Sequence, residues 1–304
     1  MTATLPPEST PGSAPEPASG RPDRPLGPRL TRIGLFALVA VAFVWGFTGL
    51  DASIERLRTA PGDAWQIIRL MWPPDFATEI DRGVIGKVLE SVYIAWVGTV
   101  IAATLSLPLA FLASNNISPS FIRLPIRQLF NVIRAVPELI VAVVLLGVVP
   151  LGPWAGALAI GLHSIGTLGK LASEEIESAD HGPVEAVEAC GGTWVSRVRW
   201  GVLPQVMPSI TSYWLFRFEI NVRASAVLGM IGAGGVGSEL IAQLNFRNFP
   251  EVGAVLIITI AVVVFIDTVS SAIRKRIIAG GSAGEPSRTA ELFRDLLGRR
   301  AARV

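Results

Sequence analysis

Long apolar stretches alternate with shorter polar segments along most of the chain. Because a membrane-spanning helix needs about 20 mostly apolar residues, each long stretch predicts one span. The predicted spans are 33–50, 84–113, 126–149, 152–172, 209–231 and 252–273. The segment SNNISPS at 114–120 predicts a turn, and the polar connection 51–82 contains an amphipathic stretch typical of a helix on the membrane surface. We therefore predict an all-α integral membrane protein with about six transmembrane helices.

The two ends of the chain differ from the apolar region between them. Residues 1–32 contain eight prolines, so we predict a disordered cytoplasmic arm. Arginines cluster before the first span, and Arg274, Lys275 and Arg276 follow the sixth, which indicates that both termini are cytoplasmic. We expect a transmembrane domain at 33–279 with a polar cytoplasmic loop at 173–208, and a cytoplasmic tail at 280–304.

Composition agrees with a membrane protein. Hydrophobic residues make up 51% of the chain and charged residues 16%, with a mean hydropathy of +0.53, whereas soluble proteins carry about 25% charged residues. The net charge of +2 is too small to indicate a nucleic-acid partner. Cys190 is the only cysteine and there are two histidines, so we expect no metal site.

Gly232, Gly234 and Gly237 have the G-x-G-x-x-G spacing of a dinucleotide-binding loop. Such a loop follows a strand and has an acidic residue about 20 positions further on. Here the glycines follow a long apolar segment, and no acid lies at that distance. We therefore predict close packing or a turn for the glycines of this segment, which are Gly229, Gly232, Gly234, Gly235 and Gly237.

An enzymatic function is not indicated. The stretch GTLGKLA at 166–172 approaches a phosphate-binding loop, but Ser164 replaces its first glycine and Leu171 replaces the hydroxyl residue after Lys170. No arrangement of serine, histidine, cysteine and carboxylate residues indicates catalysis. We expect no catalytic residues and no cofactor in this chain.

Several charged residues fall in or near the predicted spans. They are Glu90, Arg134, Glu138, Arg217, Glu219, Arg223 and Asp267. A charge at mid-bilayer costs roughly 3 kcal/mol, so these residues should face protein or water. Two pairs, Arg134 with Glu138 and Glu219 with Arg223, are spaced four residues apart and could neutralise themselves on their own helices.

The fifth predicted span has polar residues on two faces, because Arg217 lies about 200° from Glu219 on a helix. It should therefore lie between other helices. Two functions remain open for Arg217, Glu219, Asn221 and Arg223. They line a path for a polar solute, with the arginine forks suited to anionic oxygens, or they tie helices together.

The segment 173–208 is the longest polar connection between spans. Pro183 predicts a short helix that starts at Val184 and stops at Gly191 and Gly192. The stretch WVSRVRWGVLP predicts a second amphipathic helix that ends before Pro204. Two short helices outside the membrane have the form of a docking element, although an ordinary connecting loop would also fit.

The sequence of this segment resembles a known family. Glu185, Ala186, Gly191, Leu203 and Pro204 match the E-A-A, three residues, G, nine residues, I-x-L-P pattern in the cytoplasmic loop of ABC importer membrane subunits. Val187 replaces the second alanine, and Gly201 replaces the isoleucine. The flanking stretch GVLPQVMPSITSYWLFRFEINVRASAVLGMIGAGGVG is similar to the permease subunit of phosphonate importers.

This resemblance implies the type I ABC importer permease fold in a bacterial plasma membrane. In that family two permease subunits pair, here expected as a homodimer, and two cytoplasmic ATPases bind their E-A-A loops. A binding protein delivers the solute from outside, and ATP and magnesium bind to the ATPases. The resemblance implies that the residues coupling to the ATPase are Glu185, Ala186, Glu188, Gly191, Leu203 and Pro204.

The cargo that the resemblance implies is phosphonate or a related oxyanion such as phosphite or phosphate. An importer permease for another small polar solute, such as the amino acid methionine, would share the E-A-A loop. A self-contained channel or an intramembrane enzyme is the third alternative, and it would leave the segment 173–208 without a role.

Overall fold

A computed structural model of the chain describes the backbone of residues 27–49 and 54–281. The burial of side chains is described for residues 32–49 and 58–278. The described residues fold into helices joined by short turns. The helices are α1 (Gly27–Gly49), α2 (Ile54–Leu70), α3 (Phe76–Asp81), α4 (Val84–Ala113), α5 (Ser120–Ala135), α6 (Glu138–Leu146), α7 (Pro153–Glu177), α8 (His181–Ala189), α9 (Trp194–Ser196), α10 (Leu203–Leu228), α11 (Val236–Asn245) and α12 (Phe249–Gly281). Two π-helical segments, Arg197–Val202 and Gly229–Ala233, precede and follow α10.

The chain divides into two compact units, 1–64 and 65–304. Helix α1 belongs to the first unit, and its described side chains are almost all exposed, as expected for a helix surrounded by lipid. It begins at Gly27, within the stretch predicted to be a disordered arm. The rest of that arm and the tail after residue 281 lie outside the described residues.

Three described helices are long and apolar enough to span a membrane, at Arg32–Gly49, Val84–Ala113 and Phe249–Ile278. Two bent helix pairs raise this number to five if each pair forms one span. The remaining predicted span, 152–172, corresponds to α7, whose 25 residues are long enough to cross but which is not among the helices that are apolar enough by composition. Helix α7 packs against α4, α5, α6 and α10, so protein surrounds much of its polar surface.

The predicted span at 126–149 is not one continuous helix. Residues of this region form α5 and α6, which meet at an angle of 85°. The break lies at Val136, whose φ of −87° and ψ of 121° are extended, and Pro137 follows it. Proline disfavours helical geometry at the preceding residue and lacks a backbone donor, which explains the break.

Helices α4 and α7 pack through their small residues. A Cβ atom added at Gly98 would lie 2.9 Å from the carbonyl oxygen of Ala157, and one at Gly161 would lie 3.2 Å from that of Gly98. At Gly169 an added Cβ would lie 2.3 Å from the Phe130 ring of α5. These contacts bring the helix backbones close together, as is common in membrane bundles.

The two short helices of 173–208 form, but the predicted start of the first and the predicted end of the second are wrong. Helix α8 begins at His181 rather than Val184, because Asp180 caps it by accepting a hydrogen bond of 3.1 Å from the Gly182 amide. Helix α9 does not end before Pro204 but continues through the first π segment into α10. Pro204 lies in the first turn of α10, where a proline is tolerated.

Candidate functional site

The intrahelical pairing predicted for the charged residues is wrong. Glu138, Glu219 and Arg223, which belong to the two predicted pairs, have their partners on other helices instead. These pairs are Arg217 with Glu138 at 3.6 Å, Arg274 with Glu219 at 3.1 Å, and Arg223 with Asp267. Helix α10 thus makes one ion pair with α6 and two with α12. Contacts with α4, α7 and α12 place α10 between other helices, as its two polar faces indicated.

Arg217 and Asn221 belong to a chain of buried hydrogen bonds. The Arg217 Nε donates to Ser164 Oγ at 2.9 Å, and Ser164 Oγ donates to Asn221 Oδ1 at 3.3 Å. Asn221 Nδ2 then donates to Thr99 Oγ1 at 2.8 Å, and Thr99 donates to the carbonyl of Ala95 at 2.7 Å. Asn221 is fully buried. This geometry connects α10 to α7 and α4.

The guanidinium of Arg217 is only partly satisfied. Its side chain is 9% exposed, and its Nη2 has no hydrogen-bond partner although Glu138 lies 3.6 Å away. His163 is the neighbour of Ser164 on α7, and its buried Nδ1 also has no hydrogen-bond partner. Unpaired buried polar atoms cost free energy. Arg217 and His163 therefore each have a buried nitrogen without a hydrogen-bond partner.

Glu219 and Arg223 have different surroundings. Glu219 is buried and pairs with Arg274, whose guanidinium also lies 5.6 Å from the Phe216 ring centre. The Arg223 side chain is 52% exposed and pairs with Asp267. Of the four predicted path residues, the structure brings Arg217 and Asn221 together, and it directs Glu219 and Arg223 to α12.

The glycines between 229 and 237 lie where side chains would overlap backbone or nearby side chains. A Cβ atom added at Gly229 would lie 2.3 Å from the backbone oxygen of Gly234, and one added at Gly237 would lie 1.9 Å from the backbone oxygen of Ala226. Gly234 and Gly235 have φ values of 78° and 71°, which residues with a side chain rarely adopt. The Val236 amide donates to Ser91 Oγ at 2.8 Å. The segment thus folds tightly against α4.

Of the predicted coupling residues, all are exposed except Leu203, which is half-buried. Glu185, Ala186 and Glu188 are exposed on α8, and exposed Gly191 ends this region with a φ of 75°. Glu188 pairs with Arg197 at 3.3 Å. Leu203 is half-buried and Pro204 exposed at the start of α10. The acidic face of α8 is therefore free to meet another protein.

A second polar cluster lies at the end of the bundle where α4 begins. Glu79 is fully buried, and its Oε1 accepts a hydrogen bond of 3.3 Å from Arg82. Arg82 also pairs with Glu251, which accepts from Asn248 at 3.0 Å. Burial, followed by repulsion from Glu239, raises the pKa of Glu79 above its ordinary range. This cluster ties α3 to the beginning of α12.

Sequence reasoning missed the residues that serve as partners. Ser164 and Thr99 are hydroxyl residues inside apolar stretches, and Arg274 lies just beyond a predicted span. A small polar residue in an apolar stretch is the signal that could have indicated Ser164 and Thr99. The contacts themselves depend on how the helices pack.

The described helices form a membrane bundle with charged residues buried inside it, and the short helix α8 is exposed. The family model described as "Binding-protein-dependent transport system inner membrane component" matches residues 106–279. The chain therefore belongs to this family, and it is a multi-pass membrane protein. Members of the family are ABC importer permeases, which work with ATPase and substrate-binding partners.

Two relatives are similar over most of the chain. The phosphite transport system permease protein PtxC of Stutzerimonas stutzeri is 40% identical over 79% of this chain and 86% of its own length. The phosphate-import permease protein PhnE of Mycolicibacterium smegmatis is 38% identical over 84% of this chain. The chain spans about half (48%) of the length of this second relative.

A solved structure has the same fold. The MetNI methionine ABC transporter, in an inward-facing conformation, matches with a TM-score of 0.56 over 66% of this chain and 97% of the matched chain. Sequence identity is 20%, so the match concerns the fold alone. The predicted type I importer permease fold is confirmed.

Proposed function

We propose that this chain is the membrane-spanning subunit of an ATP-driven importer and forms the path for phosphonate or a related oxyanion such as phosphite or phosphate. The names of the two relatives concern phosphite and phosphate, which supports this choice of cargo over an amino acid. A homodimer of this chain would pair with two ATPases and receive cargo from a binding protein. The ATPases would bind ATP and magnesium.

The observation that carries the proposal is the unsatisfied guanidinium of Arg217. Its Nη2 is buried without a hydrogen-bond partner, and the carboxylate of Glu138 is too far away, at 3.6 Å, for a strong hydrogen bond. An oxyanion could take the place of Glu138 on this planar fork. Because Glu138 competes for the same group, cargo would bind weakly and leave readily.

Arg223 offers a matched control for Arg217. Both are arginines of α10, but Arg223 is exposed and paired with Asp267. We expect Arg217→Gln to reduce oxyanion import by the complete transporter roughly 10- to 100-fold, the equivalent of one charged hydrogen bond. Arg223→Gln should change import by less than about twofold, as for an exposed ion pair.

Import would be measured in vesicles that contain the chain, its ATPase and its binding protein. Normal import by Arg217→Gln would contradict a contact between Arg217 and the cargo. The range of ligands bound by the binding protein would decide between phosphonate, phosphite and phosphate, and an amino acid as its ligand would contradict the oxyanion proposal.

Binding of the ATPase is tested separately on α8. Glu185 is exposed at the centre of this helix, so Glu185→Arg should abolish co-purification with the ATPase without unfolding the chain. Co-purification that survives this reversal of charge would contradict docking through α8.

A further inference from the structure

Gly201 lies in the first π segment and contacts α8 at backbone distance. A Cβ atom added to Gly201 would lie 3.0 Å from the Val184 Cα and 3.3 Å from the Val184 nitrogen. Gly201 does not have a positive φ, so its backbone conformation does not require glycine. The requirement comes from the space, because any side chain here would push α8 away from the start of α10.

Gln205 links the same two helices through its side-chain amide. Its Oε1 accepts from the Asp180 amide at 3.0 Å, and its Nε2 donates to the Asp180 carbonyl at 3.1 Å. The same Nε2 donates to the Gly201 carbonyl at 2.6 Å. Asp180 is the residue that caps α8. A primary amide supplies both the acceptor and the two donors that this arrangement uses.

Both contacts lie on a continuous helical path toward the centre of the bundle. Val202 and Val206 are buried with Ile176 and Ala179 in one apolar cluster, and Val184 of α8 packs against it. Helix α10 then runs without a break to Arg217, about 18 Å beyond Gln205 at 1.5 Å per residue. A displacement of α8 would therefore reach the start of α10 directly.

We propose that Gly201 and Gln205 form a joint that makes α8 and α10 move as one body. This proposal rests on the proposed function, in which the ATPase acts on α8 and α10 carries Arg217. Gly201 and Gln205 are positioning residues, since neither touches the cargo. Their role is to transmit the displacement of α8 to the charged centre.

The joint explains a departure from the E-A-A pattern. The pattern has isoleucine where this chain has Gly201. In this chain the missing side chain lets the Val184 backbone approach α10, and Gln205 reaches Asp180 only at that separation. Glycine at 201 and glutamine at 205 therefore act together, and removing either should release the same contact.

The test uses Gly201→Ile, Gln205→Glu, the double variant, and Gly182→Ala as a control. Glutamate has the shape of glutamine but lacks its N–H donors. Gly182 is a glycine of α8 at which an added Cβ atom would lie 3.6 Å from its nearest neighbour, an ordinary van der Waals contact. Solute imported per ATP hydrolysed would be measured with the full transporter in vesicles.

We expect each single variant to retain its ATPase and to import roughly 2- to 30-fold less solute per ATP, the range found for mutations that alter coupling between sites. The double variant should be no worse than the poorer single variant, because both remove one contact. Gly182→Ala should match the wild type. Unchanged import per ATP in both single variants, or losses that multiply in the double variant, would overturn the proposal.

A second measurement is independent of cargo. Cys190, the only cysteine, is exposed at the end of α8 and can carry a spin label. Gly201→Ile and Gln205→Glu should both increase the mobility of this label in the full purified chain, and Gly182→Ala should not. If the wild type imports no oxyanion, the proposed function fails, but increased mobility still supports the joint. Unchanged mobility of the label in Gly201→Ile and Gln205→Glu overturns the proposed joint. If Gly201→Ile fails to fold, Gly201→Ala, with its 3.0 Å contact, takes its place.

Discussion

The ion pair between Arg274 of α12 and Glu219 of α10 allows a test of how this bundle holds its charges. The Glu219 side chain is 7% exposed and that of Arg274 is 22% exposed. In the variant Arg274→Gln, the carboxyl group of Glu219 would remain buried without its partner. Removing one partner of a buried pair costs about 3 to 5 kcal/mol of unfolding free energy. Since water reaches Arg274, we expect the lower value.

The opposite substitution should cost less. In Glu219→Gln, Arg274 keeps its exposed fraction and its contact with the Phe216 ring, so we expect a loss of about 1 kcal/mol. In the double variant Glu219→Gln with Arg274→Gln, no charge remains and the two amides can bond to each other. The double variant should therefore be about 2 kcal/mol more stable than Arg274→Gln alone.

The free energy of unfolding would be measured by titrating the purified chain in mixed micelles with a denaturing detergent while following its helical circular dichroism. Lys275→Gln is the control, because Lys275 is the exposed neighbour of Arg274 on α12. It should change stability by less than about 0.5 kcal/mol. The reasoning is refuted if Arg274→Gln is as stable as Lys275→Gln, or if the double variant is no more stable than Arg274→Gln.

Two further predictions concern the ends and the packing of the bundle. Because the pKa of Glu79 is raised, the folded chain binds the carboxyl proton of Glu79 more tightly than the unfolded chain does. The stability that this proton contributes is present below the ordinary pKa of 4.5 and is lost as pH rises through the raised pKa. Glu79→Gln should flatten this fall in a series of thermal melts between pH 4.5 and 8, and an unchanged slope would contradict it. Gly169→Ala should lower the unfolding free energy by about 1 to 3 kcal/mol through overlap with Phe130, whereas Gly86→Ala, at a site with open space, should not lower it. Equal stability of the two alanine variants would contradict this packing argument.

Sequence reasoning located the long helices because each contains a largely apolar stretch of about 20 residues. Helix α4 matches its predicted bounds, since Gly83 and the SNNISPS turn enclose it. The break before α6 was missed because Pro137 lies inside an apolar stretch, and the hydropathy pattern does not register the missing donor. The predicted start of α8 was wrong because Pro183 indicated a start at Val184, whereas the cap is Asp180.

The candidate site was only partly predictable. Residue spacing indicated which charges could meet on one helix, such as Glu219 and Arg223, but not the distance between helices. The observed partners, Glu138, Arg274 and Asp267, come from other parts of the sequence. Burial of Asn221 between Ser164 and Thr99 likewise depends on the close packing of α4, α7 and α10, which no local pattern encodes.

The glycine contacts have a consequence for how this sequence can change over evolutionary time. At Gly169 the obstacle to a larger residue is the ring of Phe130, and a smaller residue at 130 could make room. At Gly237 the obstacle is the carbonyl oxygen of Ala226, an atom that every amino acid possesses. No second substitution can remove it. Position 169 can therefore vary together with position 130, whereas position 237 has no compensating partner and should remain glycine in every descendant that keeps this fold.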